Sequence, residues 1–86
     1  MKTVVVFKEE SDHARPVLDF LRDFERQTGR KLDIINPETR DGAAFCEAHD
    51  IVQYPTLVAT DDSGMHLQTW AGLPLPTISE VSYYSV

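Results

Sequence analysis

Val52-Gln53-Tyr54-Pro55-Thr56-Leu57-Val58-Ala59-Thr60 is the stretch that decides how this chain folds. Its second half, Thr56 to Thr60, is rich in β-branched and apolar residues and predicts a strand. Tyr54-Pro55 lies directly before that run and predicts a tight turn at the entrance of the strand.

The chain after this stretch predicts a hairpin and a short helix. Asp61-Asp62-Ser63-Gly64 has the composition of a turn between antiparallel strands. Met65 to Ala71 follows as a strand with alternating faces, and Gly72 ends it. Thr77 and Glu80 have the spacing of a capping box, which predicts a last helix to about Tyr84.

The chain before the stretch predicts two units of strand and helix. Thr3 to Phe7 is a continuous apolar run that suits a strand covered on both faces. A helix is expected to follow as far as about Thr28 and to end at Gly29. Its apolar face is formed by residues at three- and four-residue spacing: Ala14, Val17, Leu18, Leu21 and Phe24. Leu32 to Asn36 predicts a second strand, and a shorter helix follows from about Arg40 to Asp50.

Two details of the first helix are also predicted. Ser11 or Asp12 is expected to cap its start with a side-chain oxygen. Pro16 would cost a hydrogen bond inside the helix, so a kink or a late start is expected.

The order of elements is therefore βαβαββα, which predicts the α/β class. Two strands joined by a helix should lie parallel, and the last two strands should form a hairpin. We expect a single domain over residues 1–86, with one mixed four-stranded sheet flanked by helices.

Charge and composition exclude several classes of function. The net charge is −6, and no dense basic patch is present, so neither nucleic acid nor an anionic membrane is an expected partner. No stretch approaches the roughly 20 apolar residues of a membrane span, and Val4 to Phe7 is too short for a signal peptide. The expectation is a soluble cytoplasmic protein without a cofactor.

The chain resembles the thioredoxin family over nearly all of its length. Tyr54-Pro55-Thr56 resembles the family's proline loop before the third core strand. Pro16 early in the first helix, Asn36-Pro37 after the second strand and Gly72 at the end of the last strand complete the ordered set. By this resemblance we expect the first strand of the sequence to correspond to the family's central strand, without a counterpart of the family's extra N-terminal strand and helix.

The resemblance implies a binding face around the proline loop. In the family this proline is cis, and the backbone before it pairs with an extended peptide substrate, which would place Tyr54 at that position here. The partner-binding residues implied are Ser11, Tyr54, Pro55 and Gly72. Alternatively, Tyr54-Pro55 is only a structural turn.

The family's Cys-x-x-Cys motif has no counterpart in this chain. Counting back from Pro16 places the former active-site loop at Lys8, Glu9, Glu10 and Ser11, none of which is a cysteine. Dithiol chemistry needs an activated thiolate and a second thiol that resolves the mixed disulfide. Dithiol–disulfide oxidoreductase activity is therefore not expected, and a charged, solvated loop is the simpler interpretation of these residues.

Cys46 is the single cysteine of this sequence. It is expected to be a buried core residue, and it is also the only candidate reactive thiol. Cys46 and His49 could share a helix face, but no second ligand pair is visible, so no metal site is predicted. His13 is interpreted as a surface residue beside a helix cap, although a histidine near this loop could in principle act as a general base.

Two functions of different classes remain. The first is a redox-inactive interaction module that binds an unknown protein or peptide on the proline-loop face, with Leu73 and Leu75 as added apolar contacts. These two leucines could instead close the core together with Trp70. The second function is a thiol-dependent oxidoreductase with residual activity through Cys46. A KaiB-like relative also lacks the cysteines, but the hairpin at Asp61 to Gly64 argues against that resemblance.

Overall fold

The structure is a computed structural model that describes residues 1–85. Its elements follow the order βαβαββα, as predicted. Their bounds are β1 Lys2–Val6, α1 Ala14–Thr28, β2 Asp33–Ile35, α2 Arg40–Ala48, β3 Thr56–Thr60, β4 His66–Ala71 and α3 Ile78–Tyr83.

The four strands form one mixed sheet in the order β2-β1-β3-β4. β1 pairs parallel with β2 and antiparallel with β3. β3 and β4 form the antiparallel hairpin predicted from the turn at Asp61 to Gly64. The predicted α/β class and mixed four-stranded sheet are therefore confirmed.

One topological expectation is wrong. β2 and β3 are joined by a helix, yet they run in opposite directions, because β1 is parallel to one and antiparallel to the other. The reason is that both Ile35, before α2, and Thr56, after it, pair with Val6 at the carboxyl end of β1. α2 has nine residues, about 13 Å of helix, and the chain leaves and re-enters the sheet at the same end.

The core lies on both faces of the two central strands. On one face, α1 and α3 contribute Val17, Phe24 and Val81 to a buried cluster that includes Val5 of β1 and Leu57 of β3. A second cluster on the other face joins Cys46 and Ile51 to three valines of the central strands, Val4, Val6 and Val58. Continuous apolar runs suit β1 and β3 because each is covered on both sides.

The start of α1 differs from the prediction. Its N-cap residue is His13, which makes no side-chain capping bond, so neither Ser11 nor Asp12 caps the helix. Pro16 is the third residue of α1 and lies in the first turn, where the helix has no bond for its missing N–H to break. Gly29, with a φ of 74°, ends the helix as predicted.

Two other details of the helices were tested by the structure. Leu18 was expected on the apolar face of α1, but it is 53% exposed. The predicted capping box of α3 is confirmed, because Thr77 accepts the Glu80 N–H and the Glu80 side chain accepts the Thr77 N–H. No helix among residues 1–85 is long and apolar enough to cross a membrane.

Candidate functional site

The loop before β3 is held by backbone and hydroxyl contacts at its base. The Tyr54–Pro55 peptide bond is cis, and the Pro55 ring is fully buried. The Thr56 hydroxyl donates to the Gln53 carbonyl at 2.6 Å, and the Gly72 N–H donates to the Pro55 carbonyl at 2.8 Å. Pro55 therefore positions the loop, while its ring offers no surface to a partner.

A second loop, which begins at Gly72, lies against the first. Gly72 has a φ of 75°, and a Cβ atom there would lie 3.1 Å from the Gln53 side-chain oxygen. The positive φ and this close approach both favour glycine at this position. The Leu73–Pro74 bond is also cis, a feature that the sequence analysis did not predict.

Two exposed apolar side chains flank the contact between these loops. Val52, which precedes Gln53, is 85% exposed, and Leu73, which follows Gly72, is 55% exposed. Trp70 and Leu75 instead pack against the core cluster of α1 and α3. These residues therefore have different roles: Trp70 and Leu75 close the core, whereas Leu73 stays on the surface, where it can contact a partner.

Tyr54 is half-buried rather than freely projecting. Its ring packs against the cluster that contains Cys46, and the Lys8 ammonium lies over the ring at 5.1 Å from its centroid. Partial desolvation, reinforced by the neighbouring Cys46 thiol, raises the pKa of the Tyr54 phenol above its usual value. The Tyr54 side chain therefore links the loop before β3 to the loop after β1.

The backbone of Tyr54 contrasts with its side chain. Tyr54 lies outside the helices and strands, and within residues 1–85 neither its N–H nor its C=O hydrogen-bonds to another residue. Backbone polar groups without a partner in the protein must be satisfied by water or by a ligand. This position can therefore accept and donate one hydrogen bond each to an extended chain.

The loop after β1 has its own internal hydrogen bonds. The Ser11 hydroxyl donates to the Lys8 carbonyl at 2.5 Å, and the Ala14 N–H donates to the Ser11 carbonyl at 3.1 Å. Glu9 and Glu10 are exposed to solvent. Ser11 thus stabilises the turn into α1, and within residues 1–85 its hydroxyl bonds to this carbonyl and to no side-chain base that would make it a nucleophile.

His13 has a structural role that the sequence analysis missed. Its Nε2 atom accepts the Lys8 backbone N–H at 3.1 Å, and its ring packs edge-on against Phe7 at 6.5 Å. Because Nε2 is occupied as an acceptor, His13 is not free to act as a general base in this conformation. The five-residue separation of Lys8 and His13 gave no known motif from which this bond could be predicted.

Cys46 is 7% exposed, in line with its interpretation as a core residue. Its predicted neighbour His49 stacks on Phe45 at a centroid distance of 4.3 Å. Within residues 1–85, no group of three or more His, Cys, Asp or Glu side chains is arranged to hold a metal ion.

Comparisons with known proteins bear on the fold. No protein-family model and no curated protein sequence matches this chain. Among solved structures, thioredoxin 1 from Thermosipho africanus TCF52B superposes with a TM-score of 0.67 at 14% identity, covering 98% of this chain and 89% of that one. Plasmodium falciparum thioredoxin superposes with a TM-score of 0.65 at 17% identity, covering 95% of this chain and 79% of that one.

These similarities are at the level of structure, since identities this low carry no residue roles between proteins. The sequence of 86 residues holds one cysteine, so it contains no Cys-x-x-Cys pair. The chain has the thioredoxin fold, with a buried proline before β3 and without paired cysteines.

Proposed function

We propose that this domain is a redox-inactive interaction module that binds an extended protein or peptide segment on the face formed by Val52 to Tyr54, Gly72 and Leu73, with the buried Pro55 positioning this face. The observation that carries the proposal is the unpaired backbone of Tyr54, flanked by two exposed apolar side chains. An extended segment can satisfy such a backbone and cover the side chains on either side in one contact.

Charge supports a particular kind of segment. The neighbouring loop carries the exposed residues Glu9, Glu10 and Asp12, and the whole chain has a net charge of −6. A segment with apolar residues and a few basic ones would meet both the apolar flanks and this acidic rim. Lys8 is already placed over the Tyr54 ring, so its charge is partly committed within the protein.

The test uses a peptide selected from a random library of unstructured peptides against the immobilised protein. We expect ¹⁵N chemical-shift changes on binding to centre on Val52, Gln53, Tyr54 and Gly72, and the Tyr54 amide to gain protection from exchange. Leu73→Asp should weaken binding by about tenfold or more, which corresponds to about 1.4 kcal/mol. Met65→Asp is the matched control, because Met65 is also an exposed apolar residue, at 66% against 55% for Leu73, and lies in the β3–β4 turn region. Shift changes that avoid the Val52–Gly72 face would show that the face is assigned wrongly.

The alternative function, a thiol-dependent oxidoreductase that uses Cys46, is tested separately. A thiol 7% exposed within an apolar cluster should react with a disulfide reagent at least about a hundredfold slower in the folded protein than in urea. Insulin reduction should be absent. Equal labelling rates in the folded and unfolded protein would favour the oxidoreductase over the interaction module.

A further inference from the structure

The two edges of the sheet are protected to different degrees. On β4, the register shift between Ala59 and Thr60 leaves Leu67 as an extra residue, which makes a β-bulge. The Gly72 N–H donates to the Pro55 carbonyl, and alternate residues of β4 face β3. The backbone N–H and C=O of Thr69 therefore point away from β3, toward the open edge of the sheet. The outward Thr69 N–H is then taken up by the Gln68 side-chain oxygen at 3.0 Å. A bulge and a capped amide both prevent another strand from pairing with this edge.

β2, at the opposite edge, has no such protection at its centre. The Phe7 N–H donates to the Ile35 carbonyl at 3.3 Å, and in a parallel ladder alternate residues face the partner strand. The N–H and C=O of Ile34 therefore point away from β1. Within residues 1–85, no side chain bonds to these two groups, and the Ile34 side chain is 48% exposed.

The space beside β2 is open on both faces of the sheet. The buried clusters beneath α1 and α2 contain residues of β1 and β3 but none of β2, and within residues 1–85 the only β2 side chain packed against them is the half-buried Ile35. A groove of 500 Å³ lies between β2 and α2, and one of 190 Å³ lies between β2 and α1. Ile34 lines both grooves, so a strand added beside it could place alternate side chains into each of them.

Charge along this edge selects the orientation of the added strand. The chain entering β2 is basic at Arg30 and Lys31, and the chain leaving it is acidic at Glu38 and Asp41. An antiparallel copy of the same edge, centred on Ile34, brings Arg30 of one molecule opposite Glu38 of the other, twice by symmetry. A parallel copy would bring like charges together.

We propose that β2 pairs antiparallel with β2 of a second copy of this chain, centred on Ile34, to form a continuous eight-stranded sheet. Two Ile34 backbones exchange N–H···O=C bonds across the two-fold axis, and the two Ile34 side chains contact each other on the α1 face. The short strand makes a small interface, so the dimer is weak and depends on concentration.

Sedimentation velocity of the whole chain from about 10 µM to about 1 mM tests the proposal, because a small interface is expected to associate in this range. We expect a reversible monomer–dimer equilibrium. Ile34→Thr, which keeps the branched side chain at Cβ but removes apolar surface from both copies, should weaken the dimer by about tenfold. Leu67→Thr is the matched control on the other edge, where Leu67 is 40% exposed, and it should leave the equilibrium unchanged.

A charge-swap mixture then tests the orientation. Arg30→Glu and Glu38→Lys should each weaken self-association, because both place like charges opposite each other across the two-fold axis. An equimolar mixture of the two variants should associate again, since the mixed dimer restores opposite charges at both contacts. A protein that is still monomeric at the highest concentration would overturn the proposal, and an extended segment of another protein would then be the candidate to pair with β2. A dimer insensitive to Ile34→Thr, or a mixture no more associated than its components, would overturn it equally.

Discussion

At the scale of single residues, the loop after β1 is organised by an imidazole. His13 accepts the Lys8 N–H, and Lys8 in turn lies over the ring of Tyr54 on the neighbouring loop. The Ser11 hydroxyl bonds to the Lys8 carbonyl. Both backbone groups of Lys8 are thus held by side chains that follow it closely in sequence, and this fixes the loop that borders the proposed binding face.

Replacing His13 should therefore destabilise the domain. His13→Phe retains a ring against Phe7 but leaves the partly buried Lys8 N–H without an acceptor, which costs about 1–3 kcal/mol. Urea denaturation measures the loss, and the Lys8 amide should exchange faster with solvent. His49→Phe is the control, because within residues 1–85 the His49 ring stacks on Phe45 and accepts no backbone N–H. The free energy of unfolding of this variant should stay within about 0.5 kcal/mol of the wild type.

At the scale of elements, the first turn of α2 is locked to the chain that leaves β2. The Thr39 hydroxyl accepts the Gly42 N–H at 3.0 Å and donates to the Asn36 carbonyl at 2.8 Å. Gly42 is buried, and a Cβ atom at this position would lie 1.8 Å from the Asn36 carbonyl oxygen. The helix can begin so close to β2 only because it carries a glycine at this position.

Gly42→Ala should be strongly destabilising, although alanine is the better helix former. Helix propensity alone favours alanine by about 1 kcal/mol. The overlap with a backbone oxygen forces α2 away from Asn36, and we expect a net loss of about 3 kcal/mol or more in the free energy of unfolding. Gly29→Ala is the comparison: its φ of 74° is unfavourable for alanine, but apart from its chain neighbours no atom of residues 1–85 lies within 4 Å of the added Cβ, so it should cost about 1 kcal/mol. Equal losses for the two variants would contradict this account.

The cap of α2 makes a separate prediction. Thr39→Ala removes the side-chain acceptor of the Gly42 N–H and should cost about 1 kcal/mol. Thr39→Ser keeps the hydroxyl and should recover most of that loss. Thermal denaturation of the three proteins gives the measurement, and a serine variant as unstable as the alanine variant would rule out the hydroxyl as the cause.

At the scale of the whole molecule, acid should weaken the fold through carboxylates on its surface. Asp61 in the hairpin turn accepts bonds from the Ser63 hydroxyl and from the Met65 and Ser63 N–H groups, which lower its pKa below the usual 3.8. The Thr77 N–H and hydroxyl bond to Glu80 and lower its pKa below the usual 4.5. Each carboxylate thus releases its proton more readily in the folded chain than in the unfolded one.

The sign of the pH dependence follows from these lowered values. The stabilisation is fully present above the ordinary pKa values of 3.8 and 4.5, and it is lost as the pH falls through the lower values of the folded protein. We expect urea midpoints that fall steadily below about pH 4.5. Asp61→Asn keeps an acceptor but no titrating group, so its midpoint should fall less steeply. Parallel curves for the two proteins would show that Asp61 does not contribute.

The sequence by itself determined the order and type of the elements. Apolar runs at Thr3 to Phe7 and Thr56 to Thr60, the helical spacing before Gly29 and the Thr77–Glu80 capping pattern are local signals, and each corresponds to an element of the structure. The ordered proline and glycine positions were sufficient to predict the thioredoxin fold, which the superpositions confirm. These features follow from contacts between residues close in sequence, which leave a readable period or spacing.

Only the tertiary structure decided which residues border the candidate site and how. The reversed direction of β3, the bond from Lys8 to His13, the burial of the Pro55 ring and the close approach of Gly42 to Asn36 depend on how separate segments meet. The same is true of the outward-facing Ile34 backbone, since the ladder register of β1 and β2 sets which groups remain unpaired. Contacts between distant segments produce no repeating pattern in the sequence, because they do not constrain which residues lie next to either partner along the chain.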